Sequence, residues 1–104
     1  QFQYPPFTRL IQLSFRHTLK PLVEAAALKY GEGLSKKYGP YLTGPAEPVV
    51  NRIRNQYRME LLLKLPRDGN LIRQCKSDIL EQIAILHQEK EFRAVTIIPD
   101  VDPA

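Results

Sequence analysis

Whatever chemistry this sequence can do rests on the cations of one stretch. Residues 48 to 66 read PVVNRIRNQYRMELLLKLP and carry Arg52, Arg54, Arg58 and Lys64. Arginine presents a planar fork of donors that matches phosphate oxygens. A row of such groups binds nucleic acid through its backbone, with strong salt dependence and no sensitivity to base identity. Arg16, on another segment, could extend the row, and Tyr57 beside the turn could stack on a base. The alternative is that these arginines pair with Glu47, Glu60 and the acids of a partner domain.

Other reactive residue types are too sparse to build a catalytic site. The single cysteine, Cys75, excludes an internal disulfide and a multi-cysteine zinc site, and its place on an apolar helical stripe makes it a small core residue. His87 has no Cys, Ser or second helical His at triad or ligand spacing. Asp100 and Asp102 share a face, but no further ligand accompanies them. Gly31-Glu32-Gly33 lies inside a helical pattern and lacks the Lys-Ser/Thr of a phosphate loop. No catalysis, ATP turnover or zinc binding is expected.

The basic stretch reads as a hairpin. Strands over 49–54 and 57–65 meet at Asn55-Gln56, where Asn tolerates the positive φ of a tight turn. Alternation puts Tyr57, Met59, Leu61, Leu63 and Leu65 on one face, and Arg58, Glu60, Leu62 and Lys64 on the other. A register that buries Ile53 with Met59 and Leu61 would gather Arg52, Arg54, Arg58 and Lys64 on one open surface, within one or two rungs of each other.

The rest of the chain supplies the frame. QFQYPPFT, residues 1 to 8, is an extended arm, since Pro5 and Pro6 exclude helix. RLIQLSFR, residues 9 to 16, alternates as a half-buried strand. Thr18 offers an N-cap, Pro21 fits a first helical turn, and apolar residues recur every three to four positions to Tyr38, where Gly39-Pro40 stops the helix. Gly31 and Gly33 imply close packing there or a weakened last turn. Residues 41–48 read as a loop. Asp68 or Asn70 caps a second helix with its stripe on Ile72, Cys75, Ile79, Ile83 and Leu86. Residues 93–98 form a last strand, ended by Pro99.

This order predicts an α+β fold of the split β-α-β-β-α-β, ferredoxin-like kind: a four-stranded antiparallel sheet with two helices on one face and the other face open. The expected core includes Ile11, Leu13, Phe15, Val23, Ala27, Leu61, Leu63, Ile79, Ile83 and Ile97. At 104 residues there is room for one domain with one modest core. The chain begins at Gln1 and has no secretory or membrane-spanning run, so it is expected to be part of a longer cytoplasmic protein. Residues 1–67 hold eleven Lys/Arg against four Asp/Glu, and residues 68–104 hold four against seven. The positive half is the half with the hairpin, which points to an anionic partner.

YPPFTRLIQLSF, LTGPAEPVVNRIRNQYRMELLLKLP and DVDP, in that order and spacing, resemble the C-terminal domain of the PriA family, the primosomal protein N-prime. The resemblance covers nearly the whole chain, and its most specific part is the Arg-rich strand that meets a Tyr-Arg strand running into leucines. It implies a parent ATP-dependent 3′-to-5′ DNA helicase acting at bacterial replication forks. ATP, magnesium and zinc would belong to other domains of that parent, not to these residues. Implied partners are fork or single-stranded DNA, the helicase core of the same chain, single-stranded-DNA-binding protein and primosome components, with no membrane. The family's fold is similar to that of a small-subunit ribosomal protein. By motif, its hairpin positions fall on Arg52, Arg54, Tyr57 and Arg58, although Asn55-Gln56 stands where family members often have a Gly. A second reading makes the chain a protein-interaction module. In it, Arg67 and Arg73, beside a helix N-terminus, take a carboxylate of the helicase core or of an acidic tail.

Overall fold

The computed structural model describes residues 8–48, 52–53 and 55–101, with only the backbone of Arg52 and Ile53. The aromatic arm before Thr8, Arg54 and the end of the DVDP motif lie outside the described residues. In chain order the elements are β1 (Thr8–His17), α1 (Lys20–Tyr38), a 3-10 turn (Gly39–Tyr41), β2 (Leu42–Ala46), β3 (Arg52–Ile53), β4 (Gln56–Pro66), α2 (Gly69–Gln88), a second 3-10 turn (Lys90–Phe92) and β5 (Thr96–Val101).

The sheet runs β2-β4-β1-β5, and every pairing is antiparallel. β2 lies along Glu60 to Leu63 of β4, and β3 lies along Gln56 and Tyr57 of the same strand. The two are therefore segments of one interrupted edge, and the sheet has four strand positions. The β-α-β-β-α-β order and both helices on one face make the fold ferredoxin-like, as the periodicity predicts.

Alternation decides which face is covered. Ile11, Leu13 and Phe15 of β1 and Met59, Leu61, Leu63 and Leu65 of β4 are buried. Against them pack Val23, Ala26, Ala27, Tyr30, Leu34 and Tyr38 of α1 and Cys75, Ile79 and Leu86 of α2. Each large side chain so buried contributes about 1.5–3 kcal/mol. The Phe15 and Tyr30 rings meet edge to face at 5.3 Å, and the Tyr30 hydroxyl donates to the Ile79 carbonyl at 2.9 Å. One side chain thus ties β1 to both helices. Ile83 and Ile97 sit at the margin of this core, partly buried.

The helix ends follow different rules. Asp68 caps α2, its carboxylate accepting from the N–H groups of Asn70 and Leu71 at 3.0 and 3.3 Å. Leu19 stands at the N-cap of α1 and offers its first turn no side-chain cap. Thr18 is not its cap; the Leu19 N–H instead donates to His17 Nδ1 at 3.0 Å. His87 Nε2 lies 2.8 Å from the Val95 carbonyl oxygen and fastens the end of α2 to the segment entering β5.

Three local expectations are corrected. Residues 42–46 pair with β4 instead of looping, although Gly44 and Pro45 lie among them. An edge position tolerates both residues, because neither side chain nor donor is needed on the outer side. β5 begins at Thr96 and continues through Pro99 to Val101 for the same reason: it pairs on one side only. The hairpin turn also shifts by one residue. Ile53 pairs with Gln56, so Gln56 belongs to the strand and not to the turn, and Asn55 takes the positive φ, 66°.

Candidate nucleic-acid interface

The face of the sheet away from the helices is built by the even-numbered positions of β1 and β4. Their register sets Arg16 across from Arg58, Ser14 across from Glu60, Gln12 across from Leu62 and Leu10 across from Lys64. On the outer side of β1, Thr96 faces Arg16 and Ile98 faces Ser14. None of the described helices covers these residues.

Arg16 and Arg58 are the centre of the arrangement. Side chains directly opposed in an antiparallel pair lie about 4.5–5.5 Å apart at Cβ, and like charges placed there repel. Arg58 is partly answered by Glu60, whose Oε2 is 3.3 Å from its Nη2. The Arg16 side chain has no hydrogen bond or ion pair among the described residues, and its Nε is buried without an acceptor. Arg16, Arg58 and Thr96 therefore form a line of donors across three strands, with Ser14 one step away.

Of the expected row of four cations, Arg54 lies outside the described residues, and the register bears on the other three. Position 52 pairs with Tyr57 and so keeps step with Tyr57, not with Arg58. A one-residue slip moves a whole strand to the other alternation. Lys64 shares the face of Arg58 but stands three same-face positions along β4, farther than one or two rungs. Tyr57, half-buried and paired with His17, follows the alternation of Met59 and Leu61, away from Arg58. The charge alternative is met in part: Glu60 does engage Arg58, and Glu47 reaches Lys20 at 3.4 Å.

Arg67 and Arg73 are both exposed at the start of α2, and Arg73 Nη2 donates to the Asn70 side chain at 3.2 Å. Cys75 is fully buried. Burial first, and the Asp78 charge second, push its thiol up to about 11, so it stays protonated and inert at neutral pH. Thr96 and Ser14 escaped the sequence reading because their place beside Arg16 depends on pairing between distant segments. Among the described residues no cluster of His, Cys, Asp or Glu could hold a metal, and no helix is long and apolar enough to cross a membrane.

These features define a ferredoxin-like α+β domain with cations on its uncovered sheet face. Solved structures agree on the fold. A de novo designed protein, Foldit4, superposes with a TM-score of 0.61 over 93% of this chain and 98% of its own, at 10% identity. A hydantoinase/carbamoylase family amidase from Burkholderia ambifaria gives 0.52 over 91% of this chain and 27% of its own, at 15% identity.

The chain belongs to the primosomal protein N C-terminal domain family, whose model matches residues 1–104. It is also 32% identical to the replication restart protein PriA of Treponema pallidum (strain Nichols) over 105 residues. That alignment spans 96% of this chain and 14% of the relative, so the chain corresponds to about a seventh of that protein.

Proposed function

We propose that this chain is a non-catalytic DNA-binding domain of a replication-restart helicase, holding fork or single-stranded DNA by its phosphates on the open sheet face. Any ATP, magnesium and zinc chemistry belongs to other parts of that helicase. The observation that carries this reading is the opposition of Arg16 and Arg58, two guanidiniums set on one rung, where a bound phosphate would relieve the repulsion that Glu60 answers only on the Arg58 side. The absence of aromatic residues from the described even-numbered positions of β1 and β4 fits a surface that reads backbone and not bases.

The test is fluorescence anisotropy of the chain with fork and single-stranded DNA at two salt concentrations, comparing wild type with Arg16→Gln/Arg58→Gln. Binding should weaken equally on all sequences. The slope of log K against log salt should flatten by about 0.7 per lost contact on single strands, or about 0.9 on duplex. Unchanged affinity and slope would remove the sheet face from the DNA interface. Loss of binding in Arg67→Ala/Arg73→Ala instead would move the contact to the start of α2.

A further inference from the structure

We infer that the open face takes single-stranded nucleic acid lengthwise along β4, held at one end by Arg16 and Arg58 and at the other by Lys64; this rests on the DNA reading above. Along β4 the described open-face positions run Arg58, Glu60, Leu62, Lys64, and their partners on β1 run Arg16, Ser14, Gln12, Leu10. Cations stand only at the two ends. Six residues of antiparallel strand separate them, a distance of about 20 Å.

What lies between the ends also selects the ligand. Glu60 is engaged by Arg58, and Leu62, Gln12 and Thr43, which pairs with Leu62, carry no charge; Asp100 of β5, across from Gln12, sets a carboxylate on the far side of β1 and so keeps a phosphate chain to the β4 side. A mononucleotide or inorganic phosphate reaches one end and leaves the other unused. A duplex strand that leaves Arg58 turns through more than half of its roughly 10-base-pair helical repeat within about 20 Å of axis, and so faces away before Lys64. A single strand lacks that constraint. It can lie flat on the sheet, with sugars and bases over Leu62 and Gln12 and phosphates at both ends. At the stacked spacing of about 3.4 Å per nucleotide, about six nucleotides bridge the ends, and fewer suffice when the strand is extended.

The experiment is anisotropy of labelled oligothymidylates of graded length, together with a matched duplex series, at low salt. The proteins compared are wild type, Arg16→Gln, Lys64→Gln and, as a charge-matched control off this face, Lys36→Gln. Circular dichroism confirms that each variant folds. For wild type and Lys36→Gln, affinity should rise by about 3–10-fold as length passes the threshold of about four to six nucleotides, with the salt slope steepening by about 0.7. Lys64→Gln should abolish that step, and duplexes should show none. If single strands bind through Arg16 but the step is missing in wild type, survives in Lys64→Gln or is equal on duplex, the lengthwise path is overturned and the DNA reading stands. If no oligonucleotide of any length binds, the DNA reading itself fails, and the path fails with it.

Discussion

The Tyr38 hydroxyl, in the last turn of α1, donates to the Asp78 carboxylate midway along α2. Lys37 Nζ reaches the same carboxylate at 3.1 Å, and Gln74 Nε2 reaches it at 3.3 Å. The Tyr38 bond is the main reason that Asp78 is held below the usual carboxylate range; burial opposes it, and Lys37 and Gln74 assist. The two helices are therefore joined by one ionised group. A depressed carboxylate stabilises the fold fully above its ordinary value of about 3.9 and loses that contribution as pH falls through its lower native value. Asp78→Asn should be less stable than wild type at pH 7 by about 1–3 kcal/mol, by urea titration. The gap should narrow as pH falls below about 4; a gap independent of pH would refute the charge account.

The opposite sign holds in alkali. Burial raises Tyr30 and Tyr38, the latter helped by its bond to Asp78, and it raises the Cys75 thiol from 9.0 to about 11. All three are neutral in the fold and ionise earlier in the unfolded chain. Stability should therefore be complete below about pH 9 and decline as pH climbs toward the native values. Cys75 alone removes about 1.4 kcal/mol for each pH unit between 9 and 11. Urea midpoints at pH 8, 9.5 and 10.5 should fall, and fall less steeply in Cys75→Ala.

Arg16 should trade stability against binding. Removing one of two opposed guanidiniums relieves a repulsion, so Arg16→Gln should raise stability by about 0.2–1 kcal/mol while lowering DNA affinity. Thermal melts and anisotropy on the same preparation separate the two effects. A variant that lost both would show that Arg16 serves the fold.

Two glycines should answer alanine in opposite ways. A Cβ on Gly31 would rest 3.6 Å from Leu61, an ordinary contact, and glycine inside a helix costs about 1 kcal/mol relative to alanine. Gly31→Ala should therefore stabilise by about 0.5–1 kcal/mol. Gly44 has φ of +108°, and a Cβ there would stand 2.9 Å from the Glu60 carbonyl oxygen. Gly44→Ala should destabilise by about 1–3 kcal/mol and loosen β2 from β4, seen as faster amide exchange at Leu62.

The parts of this molecule legible in its sequence are those in which one segment carries its own signal. The alternation of Ile11, Leu13 and Phe15 gives β1. The stripe from Ile72 to Leu86 gives α2, and the Asp68 cap marks where it starts. The sheet order follows from the order of elements. Hidden features depend on pairing or on edges. β2 looked like a loop because Gly44 and Pro45 are turn residues, and only its place at the margin of the sheet makes them acceptable. The turn register depended on whether Gln56 belonged to the turn or to the strand, a choice worth little locally that decides which residue of β4 stands across from position 52. The opposition of Arg16 to Arg58 lies in neither segment alone, since it requires the register of strands more than forty residues apart.

β5 ends the sheet on one side with a strand whose middle is Pro99 and whose next residue is Asp100. The first brings no N–H to the row, and the second brings a charge that a neighbouring strand would have to desolvate. When many copies of a protein crowd together, an open β-edge invites runaway association. Here that margin is closed to recruitment, so neighbouring copies can sit side by side without fusing into a fibre.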